Sequence, residues 1–173
     1  GWEMYQPPLF YLLAACLLGV CGLSALSPGA LLVFRVMGLA TGLCQLALVA
    51  ACLRLLFPGQ PRRQLAGFTL AAFLPVPLYI CHYLTNDALL MTLGTASVYL
   101  CLRVLGQERP SAAWAALLGL CLGAALLTKL SALVLIGVVF LALAGRLVAR
   151  RERAAGAWLC SVGVPLAGIV LVS

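Results

Sequence analysis

Ionisable groups set in or beside long apolar stretches are costly in lipid, which makes them candidate functional groups. This chain has few of them: Glu3, Arg35, His82, Asp87 and Lys129. Asp87 lies in the string Tyr83-Leu84-Thr85-Asn86-Asp87-Ala88-Leu89-Leu90, directly ahead of an apolar run. One chemistry for such a group is a helix N-cap, because Thr, Asn or Asp at that place satisfies free backbone N–H groups. The other is a carboxylate facing a cavity, where it could bind a divalent metal or a cationic group. Lys129 interrupts another apolar stretch at Leu126-Leu127-Thr128-Lys129-Leu130. Its ammonium either snorkels to the membrane interface or holds a phosphate group as a point charge. Arg35, about one turn into its apolar run, could do the same for an anion. His82 is four residues before Asn86 and shares a face with it if one helix covers both.

The elements that must position these groups follow from composition. Hydrophobic residues make up 65% of the 173 residues and charged residues only 9%, whereas a soluble domain carries roughly 25% charge. The mean hydropathy of +1.16 excludes a water-soluble fold. Six apolar runs are marked by their interruptions: Leu9 to Leu26, Ala30 to Phe57, Leu65 to Leu84, Ala88 to Leu105, Ala112 to Val148, and Ala154 to Ser173. The third holds Pro75 and Pro77 and should bend. The fifth is too long for one crossing and should turn at Lys129. No run alternates with period two, which argues against a β-barrel. The expected fold is all-α, a polytopic transmembrane helix bundle of about five spans plus one interfacial or re-entrant helix. It forms one transmembrane domain over residues 1–173, and both ends read as cut.

The net charge of +7 does not point to nucleic acid, because the basic residues cluster between apolar runs without interleaved aromatics. They orient the helices instead. Arg54, Arg62, Arg63, Arg103, Arg109, Arg146, Arg150, Arg151 and Arg153 fall in alternate loops, against Lys129 alone in the others. The positive-inside rule then puts Asn86, Asp87 and Lys129 on the outer face. Gly38-x-x-x-Gly42 and Gly119-x-x-x-Gly123 mark close helix packing. The eight cysteines all lie in apolar runs without a C-x-x-C pair, so they read as small buried hydrophobes, not as disulfides or metal ligands.

The order of motifs is more specific than any one of them. Glu3-x-x-Gln6-Pro7-Pro8-Leu9-Phe10-Tyr11 precedes the first run, Arg35 follows it, and then come Pro75, Asn86-Asp87-Ala88-Leu89 and Thr128-Lys129-Leu130-Ser131. Over nearly its whole length the chain resembles the polytopic glycosyltransferases of the GT-C class that use polyprenyl-phosphate sugars, relatives of the protein mannosyltransferases and the aminoarabinose transferase of lipid A. That resemblance implies an integral protein of the bacterial inner (plasma) membrane, its site on the extracytoplasmic side, working with membrane lipid and a polyprenyl-phosphate sugar donor. It implies catalytic roles for Asp87 and Glu3, and substrate-binding roles for Lys129, Arg35, Gln6, Asn86 and His82. Many members carry Glu-Lys directly before the prolines, where this chain has Tyr5-Gln6. The family's first catalytic Asp would lie before Gly1, so residues 1–173 alone are expected to be inactive. The mechanism implied is an inverting hexosyl or pentosyl transfer, with a carboxylate as general base and cations on the departing phosphate. The carboxylates leave a divalent metal open as a cofactor. The competing classes are a transporter, which would want internal repeats or paired broken helices near the midplane, and a structural multispan protein in which Asp87 and Lys129 are only a cap and an anchor.

Overall fold

The computed structural model describes residues 7–83, 85–107, 111–150 and 163. The described residues form seven helices and no strand: α1 Leu9–Val20, α2 Pro28–Leu56, α3 Pro61–Ala72, α4 Pro75–His82, α5 Asn86–Gly106, α6 Ala112–Thr128 and α7 Ala132–Arg150. Glu3, Gln6, Arg109, Arg151, Arg153 and the last apolar run from Ala154 lie outside them, apart from Gly163.

Local chemistry sets the boundaries. Ser27 caps α2, its Oγ accepting from the Ala30 N–H at 3.3 Å, with Pro28 in the first turn where a missing N–H costs nothing. The helix stops at Phe57, ahead of Pro58 and of Gly59, whose φ of 70° suits a residue without Cβ. The third apolar run does bend. It splits into α3 and α4, which meet at 49° across Phe73 and Leu74, because Pro75 drives the residue before it out of the helical region. The long run after Ala112 breaks at Lys129 to Ser131, as its length required.

α2 and α5 are long and apolar enough to cross a bilayer, and the bent pair α3–α4 makes a third span if it crosses as one. α6 is as apolar but has 17 residues, a rise of about 26 Å against a hydrocarbon core of about 30 Å. With 12 residues, α1 rises only about 18 Å and is too short to span. It ends at Cys21 and Gly22, the latter at φ 64°. Phe10, Ala14 and Leu18 on one of its faces are buried. The chain is an integral membrane protein built as an all-α bundle.

Neighbouring helices are held in register by contacts that name their direction. Leu53 on α2 lies against Gly67 of α3, and Gly38 against Cys81 of α4, so α3–α4 returns antiparallel along α2. A Cβ on Gly38 would stand 2.5 Å from the Cys81 carbonyl oxygen, and one on Gly42 would stand 2.9 Å from the Cys81 sulfur. The first small-residue motif therefore does bring two backbones together. The Thr92 hydroxyl of α5 donates to the Thr41 carbonyl of α2 at 3.2 Å, a polar tie between helices of the kind lipid-embedded bundles use. The core sits across α5, α6 and α7, where Leu100, Val104, Leu118, Leu122, Val139 and Leu143 are all but fully buried.

One of the basic residues counted as a loop charge has a different place. Arg146 belongs to α7, is 7% exposed, and donates through Nη1 to the Val104 carbonyl and through Nη2 to the Gln107 carbonyl at 2.5 Å. Those acceptors are at the C-terminal end of α5, which carries partial negative charge, so a guanidinium there replaces missing intrahelical donors.

Candidate functional site

The helix ends opposite Arg146 bring the sequence motifs together. Thr85 is the N-cap of α5 in extended conformation (φ −129°, ψ 152°), but no side chain makes a capping bond. Asp87 is not the cap. It lies in the first turn of α5, and its Oδ1 meets Lys129 Nζ at 2.5 Å. Lys129 is the C-cap of α6, its own N–H bonded to the Ala125 carbonyl. Beside this pair the Asn86 amide donates to the Thr128 carbonyl at 3.1 Å. Asn86 is 5% exposed and Thr128 fully buried. Two adjacent residues of α5 are thus tied to the last residue of α6 and to its C-cap.

The electrostatics of this junction are favourable twice over. The N-terminal end of α5 carries partial positive charge and holds the carboxylate; the C-terminal end of α6 carries partial negative charge and holds the ammonium. The side chains are 35% and 34% exposed, so the pair is a reachable contact rather than a buried one. A reagent or substrate can compete for either partner.

Apolar walls flank the junction. A slot of about 190 Å³ lies between α1 and the ends of α2, α4 and α5, walled by Phe10 and Leu17 on one side and Phe34, Tyr83 and Ala88 on the other. Thr85 lines it too, and among the described residues the buried Thr85 Oγ1 has no hydrogen-bond partner. Sequence reasoning gave Thr85 no role beyond capping; an uncapped, buried hydroxyl next to Asn86 and Asp87 adds it to the site. Phe34 and Tyr83 also border a second cleft, of about 300 Å³, that holds Arg35 and His82.

The placement of His82 corrects one expectation. α4 ends at His82, Tyr83 is extended (ψ 146°), and α5 begins only at Asn86. The two therefore lie on different helices and share no helical face. His82 turns instead with Arg35 into the cleft between α4 and α2. Arg35 and His82 are both exposed. The structure therefore gathers Asn86, Asp87 and Lys129 at one junction, and Arg35 with His82 in the adjoining cleft. Glu3 and Gln6 lie outside the described residues.

The described donors at the junction are one carboxylate, one amide and hydroxyls, with an ammonium already on the carboxylate. Among the described residues no three His, Cys, Asp or Glu side chains converge as a metal would require. What the junction offers chemically is a carboxylate able to take a proton and an ammonium able to hold an anion, next to an apolar slot.

Comparison with known proteins adds the family. No curated protein and no solved structure matches the chain significantly. The family model for dolichyl-phosphate-mannose-protein mannosyltransferase matches residues 5–172 of the 173, beginning just before the Pro-Pro motif. With an all-α membrane bundle beneath that match, the chain belongs to the dolichyl-phosphate-mannose-protein mannosyltransferase family of membrane glycosyltransferases.

Proposed function

We propose that this chain is part of a glycosyltransferase that moves a sugar from a polyprenyl-phosphate donor to a hydroxyl acceptor on the extracytoplasmic face of the membrane. The observation that carries this reading is the contact of Asp87 with Lys129 at a reachable pair of helix ends. One junction supplies both an acceptor for the hydroxyl proton and a cation for the leaving phosphate. The excess of arginine in the other set of loops favours the extracytoplasmic side.

The chemistry follows from the residues. The acceptor oxygen attacks the anomeric carbon from the face opposite the phosphate. Its proton passes to the Asp87 carboxylate. The bond from the anomeric carbon to the phosphate oxygen breaks, and the phosphate leaves with the electron pair. Lys129 stabilises that charge as it develops. Since Lys129 rests on Asp87, a donor phosphate that draws the ammonium away also frees the carboxylate to act as base. Donor binding and activation of Asp87 are thereby one event, which implies that donor binds before acceptor. Arg35 and His82 extend the anion-holding surface along the adjoining cleft.

The test uses the full-length protein in lipid with a panel of polyprenyl-phosphate sugars. Release of polyprenyl phosphate coupled to a glycosylated product is expected from the native protein. Asp87→Asn should lower it about 10²–10⁴-fold, the range for loss of a general base. Wild-type turnover in a folded Asp87→Asn protein would overturn the reading.

A further inference from the structure

The opposite end of the molecule holds a second built feature, in the turn between α2 and α3. Arg54 lies in the last turn of α2, and Arg62 and Arg63 in the first turn of α3. All three are exposed. Cations at a helix N-terminus meet the positive end of its dipole, and α3 has neither an acidic residue in its first turn nor a side-chain cap. Among the described residues the one acidic side chain is Asp87, at the far end of the bundle. Arg62 and Arg63 therefore stand where the field of α3 already favours an anion, and Arg54 at the adjoining end of α2 adds a third guanidinium.

The turn that carries them is held in shape. The Gln64 amide donates to the Phe57 carbonyl at 2.7 Å, the Gln60 N–H donates to the same oxygen at 3.2 Å, and Arg63 stands 6.0 Å from the centre of the Phe57 ring. Between the two helices opens a cleft of about 460 Å³. Arg54, Pro61 and Gln64 line it together with an apolar floor of Ala50, Leu53, Leu65 and Phe68, and Arg62 and Arg63 stand beside it in the first turn of α3. The apolar lining residues come earlier than Arg54 on α2 and later than Arg62 on α3, so the lining becomes more apolar toward the middle of the bundle. Leu65 is 67% exposed with nothing of the described chain over it.

We propose that this cleft binds an anionic phospholipid of the surrounding bilayer, with its phosphate against Arg54, Arg62 and Arg63 and one acyl chain along the floor. A soluble phosphate would use the arginines but not the apolar floor, and a neutral lipid would use the floor but not the arginines. The graded cleft fits a molecule with both parts. The positive-inside bias favours the cytoplasmic leaflet for this end, where anionic lipid concentrates and draws basic segments to the surface. The site is remote from Asp87 and Lys129 and does not depend on the transferase reading.

The test is native mass spectrometry of the protein released from mixed phosphatidylcholine and phosphatidylglycerol nanodiscs. Retained phosphatidylglycerol should exceed phosphatidylcholine about tenfold, and the triple variant Arg54→Gln, Arg62→Gln, Arg63→Gln should lose that preference. The charge-matched control Arg150→Gln, Arg151→Gln, Arg153→Gln should keep it. Equal loss in both triple variants would show a general surface-charge effect and overturn the site. So would equal retention of the two lipids by the native protein. Should the first triple variant not fold, the native protein still decides. Its phosphatidylglycerol retention must fall as salt is raised, and salt-independent retention would overturn the proposal.

Discussion

Asp87 Oδ1 and Lys129 Nζ lie 2.5 Å apart, although 42 residues separate them in the chain. Each stands at the helix end whose dipole suits its charge. A partly exposed pair of this kind contributes about 0–1 kcal/mol to stability. Its value as a fastener is therefore small, and the buried Asn86–Thr128 bond beside it is the stronger tie. That difference separates a structural role from a functional one.

Asn86→Ala should lower the stability of the junction more than Asp87→Ala does. It leaves the buried Thr128 carbonyl without its amide donor, a loss of about 1–3 kcal/mol. Thermal unfolding in detergent, followed by far-UV circular dichroism, orders the two variants. Equal stability of Asn86→Ala and the native protein would contradict this account of the junction.

Close approach of α2 and α4 makes a second ordering. Gly38→Ala puts a Cβ 2.5 Å from a backbone oxygen, and Gly42→Ala puts one 2.9 Å from a thiol that can rotate. The first should cost about 1–3 kcal/mol as overpacking and the second less. The same unfolding measurement reads both.

Much of this architecture was legible in the sequence because it is written in local punctuation. Pro75 announced the 49° elbow, Lys129 the break between α6 and α7, and Gly38 with Gly42 the close packing on Cys81. The partners across the bundle were not legible. Helices this apolar carry little periodic signal for the side that meets a neighbour, so Asn86–Thr128 could not be read from spacing. Arg146 reads as one loop charge among nine in the sequence, because a charge count does not distinguish a solvated arginine from one capping a neighbouring helix. An i, i+4 spacing puts His82 on one face with Asn86 only if a single helix covers both, and the helix stops at His82.

Topology is best tested at positions chosen from burial. Asn86 is too buried to label, at 5% exposed, whereas Leu130 is 58% exposed beside Lys129. In a background without the native cysteines, Leu130→Cys should react with a membrane-impermeant maleimide from outside and Arg62→Cys only after lysis. The reverse pattern would place the junction in the cytoplasm and remove the extracytoplasmic assignment.

Arg35 lies in the cleft with His82 rather than on Asp87. Arg35→Ala should therefore act mainly on donor binding. KM for the polyprenyl-phosphate donor should rise about tenfold with kcat little changed, the signature of lost uniform binding. A fall in kcat at unchanged KM would place Arg35 at the reacting centre instead.

The most direct test of the central claim is the charge exchange Asp87→Lys with Lys129→Asp in the full-length protein. It keeps an ion pair across the same helix ends but moves the carboxylate to α6 and the ammonium to α5. Sugar transfer, measured alongside thermal stability, should fall about 100-fold or more while the protein still folds and inserts. Transfer at the native rate would show that the pair serves only to hold α5 against α6, and would contradict the account.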